Sequence, residues 1–317
     1  MSIMGKMALV FGIVVVMGAV MLVSVIVMES ADVRVGGKNF TESYVLGEMM
    51  ALLIEEETDL TVGRRLGLGG TLVCFGALTG GDVDFYAEYT GTGLVNILEQ
   101  EVMRDPQKVY NEVQSAFNSQ FNLVWLEPFG FSNTYTITMR ENQAEELGIE
   151  TISDLAEYLR NGGELRAGFD AEFMERPDGY KALKEAYDFE FPSSPKQLDP
   201  GLMYRSAAEG EVDVICGFAT DGRIPAYDLT ILEDDKDFFP PYDAAPLVRQ
   251  DTLQQYPEIR DALNKLGGQI SPEEMQHLNY LVDEEGRDAK AVAREFLLEK
   301  NLISPKEEPA SQSQPVR

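Results

Sequence analysis

Three short loops that combine glycine with threonine constrain the fold of this chain most strongly. They lie at residues 36–42, 68–72 and 88–92, and each follows a strand-like segment. Helix-like segments follow the first two loops, and this alternation predicts an α/β sandwich with a largely parallel sheet. Loops at the carboxyl ends of such strands commonly bind ligands, and all three loops occupy that position.

The remaining elements extend the same alternation along the chain. A helix is expected over residues 41–57 with Thr41 as its N-cap, because threonine oxygens accept bonds from the first free N–H groups of a helix. A second, smaller α/β unit is expected after residue 132. Its strands are predicted at residues 135–139, 165–169 and 212–216, and its helices at 153–159, 179–186 and 202–209. Two more strands, at 229–232 and 245–248, precede three helices that end near residue 299.

An uncharged and almost wholly apolar stretch occupies residues 7–28. As a helix it would be about 33 Å long, which is enough to cross a bilayer. Lys6 precedes it and Glu29 follows it, so the short N-terminus is expected in the cytoplasm and the rest outside. Residues 1–31 are therefore either an uncleaved membrane anchor or a removed signal. We favour the anchor, because signal peptides usually have a shorter apolar core.

The charge of the chain restricts its partners. A net charge of −28 leaves no excess of Lys or Arg to displace counterions from phosphates, which argues against nucleic acid. The same acidity disfavours contact with anionic lipid headgroups. Mutual repulsion between strongly acidic copies favours a monomer.

Enzymatic chemistry is poorly represented in the sequence. His277 is the only histidine, and its helical context indicates packing or exposure on a helix face rather than catalysis. Neither metal-ligand spacings nor a cofactor motif is recognisable, so no metal and no cofactor are expected. Cys74 and Cys216 lie in apolar surroundings, which predicts two buried and unpaired thiols.

Binding motifs are better represented, and six of them occur in a characteristic order. They are GKNFTE (37–42), LGGTLV (68–73), EYTGT (88–92), EFMERPDG (172–179), LMY (202–204) and TDGR (220–223). In this order the chain resembles the extracytoplasmic substrate-binding proteins of ABC importers for glycine betaine, choline and related quaternary amines. The resemblance extends from about residue 33 to residue 302.

The resemblance implies a two-lobe periplasmic-binding-protein fold of type II, with the ligand cleft between the lobes. Lobe I would comprise residues 32–132 and 219–303, and lobe II residues 133–218. Residues 304–317, rich in Pro, Ser and Gln, are expected to form a disordered tail. The implied partners are a quaternary ammonium osmoprotectant and an ABC permease with its ATPase subunit.

The resemblance also implies a ligand site made of two parts. A quaternary ammonium has no N–H donor, whereas aromatic rings attract its diffuse charge. By motif position the aromatic box consists of Tyr89, Tyr135, Tyr204 and Phe218, the last standing where some members carry tyrosine. The implied donors to a ligand carboxylate are Lys38, Thr92 and Arg176. Asn133 would contribute its backbone carbonyl towards the ammonium.

Several alternatives stay open at this point. Each ring could simply pack in a core, and Arg176 could pair with Glu172 or Asp178, while Asp221 and Arg223 are expected to form a structural pair. The ligand could be choline or carnitine instead of glycine betaine. An enzyme on the related two-lobe fold, similar to porphobilinogen deaminase, and a sensory receptor ectodomain are the alternatives from other classes.

Overall fold

The computed structural model describes residues 31–305. The apolar stretch at residues 7–28, where the sequence predicts a membrane anchor, lies outside these residues, as do residues 306–317 of the expected tail. Among residues 31–305, no helix has both the length and the apolar character needed to cross a bilayer.

Two five-stranded sheets organise the described chain. The strands are β1 (Val33–Gly36), β2 (Val62–Arg65), β3 (Phe85–Tyr89), β4 (Leu123–Trp125), β5 (Tyr135–Arg140), β6 (Ala167–Phe169), β7 (Lys196–Gln197), β8 (Val214–Phe218), β9 (Leu229–Leu232) and β10 (Ala244–Arg249). The first sheet has the order β2-β1-β3-β10-β4 and the second the order β7-β6-β8-β5-β9. Each sheet is the centre of one lobe.

Helices cover the faces of both sheets, as expected for an α/β protein. They are α1 (Thr41–Glu57), α2 (Thr71–Gly80), α3 (Pro106–Phe121), α4 (Glu141–Leu147), α5 (Ile152–Arg160), α6 (Ala171–Glu175), α7 (Tyr180–Tyr187), α8 (Pro200–Ala208), α9 (Arg223–Ala226), α10 (Gln250–Gln255), α11 (Glu258–Asn264), α12 (Pro272–Asp283) and α13 (Ala289–Glu299). A π-helical turn at Thr92–Ile97 follows β3 directly.

Both sheets are mixed, but four of the five strands in each run in one direction, which agrees with the prediction of a largely parallel sheet. In the first sheet β1 runs parallel to β2 and β3, whereas β10 is antiparallel to β3 and β4. In the second sheet β6 is parallel to β7 and β8, whereas β5 is antiparallel to β8 and β9. β5 and β10 are the strands with which the chain enters each lobe from the other one. Their direction depends on that crossing, which short-range alternation does not reveal.

The expected end of lobe II at residue 218 needs correction. Leu229–Leu232, which that boundary assigns to lobe I, pairs with β5 in the second sheet. The chain therefore returns to the first sheet between β9 and β10. This returning segment lies beside the outgoing one, because Ser132 and Asp243 form an antiparallel bridge and the Asn133 N–H donates to the Tyr242 carbonyl at 3.0 Å.

The central helix of lobe I is α1, and its predicted bounds are confirmed. It packs against α11, α12 and α13, and its middle residues are buried. Thr41 is not the N-cap, which is Phe40 and has no side-chain cap bond. The Thr41 hydroxyl instead donates to Asp283 Oδ1 of α12 at 2.5 Å, so it fixes one helix against another.

The remaining structural predictions concern single side chains. Cys74 and Cys216 are buried and free, as expected, and burial raises the pKa of the Cys74 thiol to about 12. His277 is exposed on α12. Asp221 and Arg223 form the expected pair, with Nη2 and Oδ2 2.6 Å apart, and Arg223 also lies 3.5 Å from Asp283.

The close approach of Gly222 to α12 leads to a stability prediction. A Cβ atom at Gly222 would lie 2.6 Å from the Tyr280 main-chain nitrogen, so Gly222→Ala must push two backbone segments apart. We expect it to lower the free energy of unfolding by about 1–3 kcal/mol in denaturant titrations.

Gly76→Ala is the matched control, because a Cβ at this position of α2 would meet no atom within 4 Å. It should raise the free energy of unfolding by roughly 0.5–1 kcal/mol, since alanine is the better helix former. Equal effects of the two substitutions would contradict the close contact.

Candidate functional site

The three glycine-containing loops converge on one cavity between the lobes. Lobe I contributes residues from the ends of β1 and β3 and from the start of α2, and lobe II contributes residues from β5, α6 and the end of β8. The space inside it is about 50 Å³. That is enough for only a few water molecules, so the lobes are close together around a small site.

Five aromatic side chains line this cavity. They are Phe40, Tyr89, Tyr135, Phe218 and Tyr242. The rings form a connected series across the cleft, in which Phe40 stacks on Phe218 with centroids 5.7 Å apart. Phe40 also lies 6.2 Å from Tyr89, and Tyr135 lies 5.1 Å from Phe218 and 6.0 Å from Tyr242. Such a group of faces can surround a cation that cannot donate hydrogen bonds.

A wider depression of about 530 Å³ shares Tyr135 with this cavity and is also lined by Phe239. One feature makes the small cavity the better candidate despite its size. It brings five aromatic rings together with buried charged groups, among them Lys38, Asp170 and Arg176. Convergent polar groups in an apolar pocket are typical of a small-molecule site.

Tyr204 does not line the cavity, contrary to its predicted place in the aromatic box. It is fully buried in α8, and its hydroxyl accepts a hydrogen bond from the Phe218 N–H at 2.8 Å. The Arg223 guanidinium covers its ring at 4.5 Å from the centroid. Tyr204 therefore supports the backbone of Phe218 from behind, while Phe40 and Tyr242 contribute the rings that the sequence analysis did not select.

The two missed rings differ in how visible they are in the sequence. Phe40 lies inside the quoted motif at residues 37–42, next to the selected Lys38, and its position in a ligand loop was the available signal. Tyr242 follows two prolines and belongs to none of the six motifs. It enters the cavity only because the returning segment passes beside the outgoing one, which no local pattern indicates.

Lys38 is buried beside the cavity and already has an anionic partner. Its Nζ lies 2.6 Å from Glu88 Oε1 and donates to the Thr71 hydroxyl at 2.9 Å. The other Glu88 oxygen accepts from the Tyr86 hydroxyl at 2.9 Å. With three donors on its ammonium, Lys38 keeps one for a further acceptor in the cavity.

Arg176 is held in a similar way at the opposite wall. Its Nε and Nη2 form a planar fork with the Asp178 carboxylate, both at 2.8 Å, and Nη1 donates to the Thr92 hydroxyl of lobe I at 3.2 Å. The guanidinium also lies 5.1 Å from the Tyr135 centroid and 5.6 Å from that of Tyr242. Paired charges of this kind are fixed in place before any ligand arrives.

Glu172 joins the two lobes directly at the edge of the cavity. From α6 in lobe II it accepts bonds from the Thr71 hydroxyl at 2.5 Å and the Thr71 N–H at 3.2 Å, at the start of α2 in lobe I. Burial opposes its ionisation, but Lys38 and Arg176 outweigh burial and hold the pKa of Glu172 below its ordinary value. An anion at a helix N-terminus is also favoured by the helix dipole.

The side chain of Asn133 is held at the hinge by two hydrogen bonds. Its amide oxygen accepts from the Thr220 N–H at 3.2 Å, and its amide nitrogen donates to Glu42 Oε1 at 2.9 Å. Glu42 is fully buried and also accepts from Tyr89, Thr220 and Asn279. This carboxylate belongs to a quoted motif, yet the sequence analysis gave it no role.

The charged side chains that line the cavity do not give it a net positive charge. Asp170 and Glu172 line it together with Lys38 and Arg176, and both cations have carboxylate partners. Burial raises the pKa of Asp170, which caps α6 through the Phe173 N–H at 3.0 Å. Among residues 31–305, no group of three or more His, Cys, Asp or Glu side chains is arranged to hold a metal ion.

Comparisons with known proteins show what this chain is similar to. Residues 31–299 match the family model described as the substrate binding domain of an ABC-type glycine betaine transport system. The carnitine transport binding protein OpuCC of Listeria monocytogenes is 42% identical over 277 residues, which cover 86% of this chain and 88% of that protein. The glycine-betaine-binding protein of Pseudomonas aeruginosa is 36% identical over 283 residues, covering 87% and 90%.

A solved structure also shares the fold. The crystal structure of a glycine betaine/carnitine/choline ABC transporter superposes with a TM-score of 0.72 at 36% identity. The match covers 86% of this chain and all of that one.

The buried ion pair of Lys38 and Glu88 generates a prediction. Glu88→Gln leaves the Lys38 ammonium buried without an anionic partner, and we expect the free energy of unfolding to fall by about 3–5 kcal/mol. Chemical denaturation at neutral pH measures this loss.

Glu190→Gln is the control, because its partner Lys184 forms an exposed pair at 2.9 Å. Exposed pairs contribute only about 0–1 kcal/mol, so this substitution should cost far less. A similar loss in both variants would show that burial does not strengthen the Lys38 pair.

Proposed function

We propose that the ligand of this protein is glycine betaine, because the chain belongs to the family of substrate-binding domains of ABC-type glycine betaine transport systems. The protein is the substrate-binding component of an ABC importer for quaternary amines of the glycine betaine and carnitine type. Its relatives are named as transport or binding proteins and not as enzymes. Binding between two lobes, followed by closure, would present a distinct surface to the permease.

The observation that carries the proposal is the series of five rings around one enclosed cavity. A trimethylammonium group spreads its charge over methyl groups and offers no hydrogen-bond donor. Ring faces therefore attract it more effectively than a hydrogen-bond acceptor does, and each face contributes about 0.5–2 kcal/mol. The proposed cage consists of Phe40, Tyr89, Tyr135, Phe218 and Tyr242, so Phe40 and Tyr242 replace Tyr204 of the earlier assignment. Asn133 lies beside these rings and is proposed to face the ammonium.

The carboxylate of glycine betaine requires donors at the other end of the cavity. The Thr92 hydroxyl accepts from Arg176, so its own hydrogen is available for a ligand oxygen. Lys38 retains a third N–H after bonding Glu88 and Thr71. We therefore assign the carboxylate to Thr92 and Lys38, with Arg176 fixing the orientation of Thr92.

Choline is the second candidate, and a specific observation favours it. Lys38 and Arg176 are both neutralised by buried carboxylates, and Asp170 and Glu172 add further acidity to the lining. A ligand that carries only a positive charge suits this balance, because it needs no donor for a carboxylate.

We also propose that the protein works on the outer side of the cytoplasmic membrane and acts as a monomer. Its family supplies the substrate-binding domain of a transport system, which supports an extracytoplasmic location. Retention of residues 7–28 as a membrane anchor remains part of the proposal. Comparison of the mass of the native protein with that of the full chain tests it.

The Thr92 hydroxyl separates the two candidate ligands. Thr92→Val keeps the volume and removes the donor, so glycine betaine should bind about tenfold more weakly, because its carboxylate loses a hydrogen bond. Choline has no carboxylate, so its affinity should fall less. Calorimetric titration with each ligand measures how far its affinity falls between the unaltered protein and the variant.

Saturable binding of glycine betaine by the unaltered protein is the first requirement, and its absence would refute the proposed ligand. Equal losses for glycine betaine and choline in Thr92→Val would refute the assignment of the carboxylate to Thr92.

The aromatic cage generates a separate prediction at Phe40. Phe40→Leu keeps an apolar side chain but removes a ring face, and we expect glycine betaine to bind about 2- to 30-fold more weakly. Phe75→Leu is the matched control, because Phe75 is also partly buried in lobe I but packs on Phe117 and Phe121 away from the cavity. Equal affinities of the two variants would exclude Phe40 from the cage.

A further inference from the structure

Glu42 is a buried carboxylate without a cationic partner. It lies in the first turn of α1 with 2% of its surface exposed, and none of the ion pairs among residues 31–305 includes it. Its Oε1 accepts from the Tyr89 hydroxyl at 2.6 Å and the Asn133 amide at 2.9 Å. Its Oε2 accepts from the Asn279 amide at 3.1 Å and from the Thr220 hydroxyl.

The orientation of the two amides favours the ionised form of Glu42. Asn133 presents its oxygen to the Thr220 N–H, and Asn279 donates to the Thr220 carbonyl at 2.9 Å. Each amide therefore has an N–H directed at a different oxygen of Glu42. A carboxylate, which only accepts, can take one bond from each amide and each hydroxyl at once. Burial raises the pKa of Glu42, but all four donors favour the charged form.

Tyr89 transmits this charge to the cavity. Its ring is part of the lining, and its hydroxyl is one of the donors to Glu42. Burial, followed by the charge of Glu42, raises the pKa of Tyr89 well above its ordinary value, so the phenol stays protonated and remains a donor. A phenol that donates to a carboxylate gains electron density in its ring, which strengthens the attraction of the ring face for a cation.

We propose that Glu42 determines the selectivity of the cage for a positively charged ligand, an inference that rests on the proposed function. It acts in two ways, although it does not touch the ligand. It increases the negative potential of the Tyr89 face through the shared hydrogen bond. It also leaves a buried negative charge uncompensated, and the ligand ammonium supplies the missing counter-charge.

Lys38 does not supply that counter-charge. Its Nζ lies 5.3 Å from the Tyr89 centroid, but Glu88 neutralises it at 2.6 Å. The potential at the Tyr89 face is therefore set mainly by the carboxylate bonded to its hydroxyl.

Tyr135 is the natural comparison, because its ring lines the same cavity. Within residues 31–305 its hydroxyl makes no hydrogen bond, whereas the Tyr89 hydroxyl bonds Glu42. The Arg176 guanidinium already lies 5.1 Å from the Tyr135 centroid. Removing the hydroxyl from each tyrosine thus separates the effect of the carboxylate from the general effect of a phenol.

The experiment measures binding of glycine betaine and of its neutral-headed isostere 3,3-dimethylbutanoate to Tyr89→Phe and Tyr135→Phe. Tyr89→Phe should lower the affinity for glycine betaine about threefold to tenfold and the affinity for the isostere much less, because only the cation responds to the ring potential. Tyr135→Phe should lower the affinity for both ligands by the same factor, which should be less than about twofold. Equal losses of affinity for glycine betaine in the two variants would overturn the proposal, even if the isostere binds too weakly to measure.

Glu42→Gln, alone and combined with Tyr89→Phe, completes the test. If the carboxylate acts through the Tyr89 hydroxyl, the two losses of affinity should not add in the double variant. Additive losses would exclude the route through the Tyr89 hydroxyl, and equal losses of affinity for glycine betaine and the isostere in Glu42→Gln would show that Glu42 only supports the structure. Failure of the unaltered protein to bind any quaternary amine would instead refute the proposed function, and the present inference with it.

Discussion

The carboxylate of Glu42 is the interaction on which the relation between the two lobes depends. Three of its four partners lie 91 to 237 positions away from it in the chain, on the outgoing crossing, on the segment after β8 and on α12. A single anion therefore fixes the start of α1 to the outgoing crossing and to the segment after β8, and also to α12 of the same lobe. Because an unsatisfied buried carboxylate is costly, the four donors are held in one arrangement and the hinge is well defined.

The charged groups of the cleft follow a similar logic. Lys38 and Arg176 are each immobilised by a carboxylate, so little side-chain freedom remains to be lost when a ligand binds. Glu172 meanwhile satisfies the start of α2 from the opposite lobe, which links closure of the cleft to the polar groups beside the ligand. The cleft is thus arranged in advance for a small ion whose two ends differ in chemistry.

Much of this arrangement could be predicted from short motifs. Seven of the eight selected residues lie at the cavity, because a motif fixes both a loop and the side chains on it. Tyr204 was misplaced because three residues do not reveal which face of α8 points to the ligand. The pairing of β9 with β5 and the entry of Tyr242 depend on contacts between distant segments, and no local periodicity records them. Apart from single side chains such as Tyr204, Phe40 and Thr41, prediction failed where the chain crosses between lobes and succeeded within each lobe.

The position of β10 has a consequence for the time course of folding. This strand lies between β3 and β4, so the sheet of lobe I lacks an interior strand until residues 244–249 are available. The second sheet is built from one continuous stretch, from β5 to β9, and can assemble as soon as that stretch has been made. During synthesis the lobe that begins the chain is therefore the last to be completed. Its early strands must wait, unpaired along one edge, while some hundred residues are added at about 5–20 residues per second.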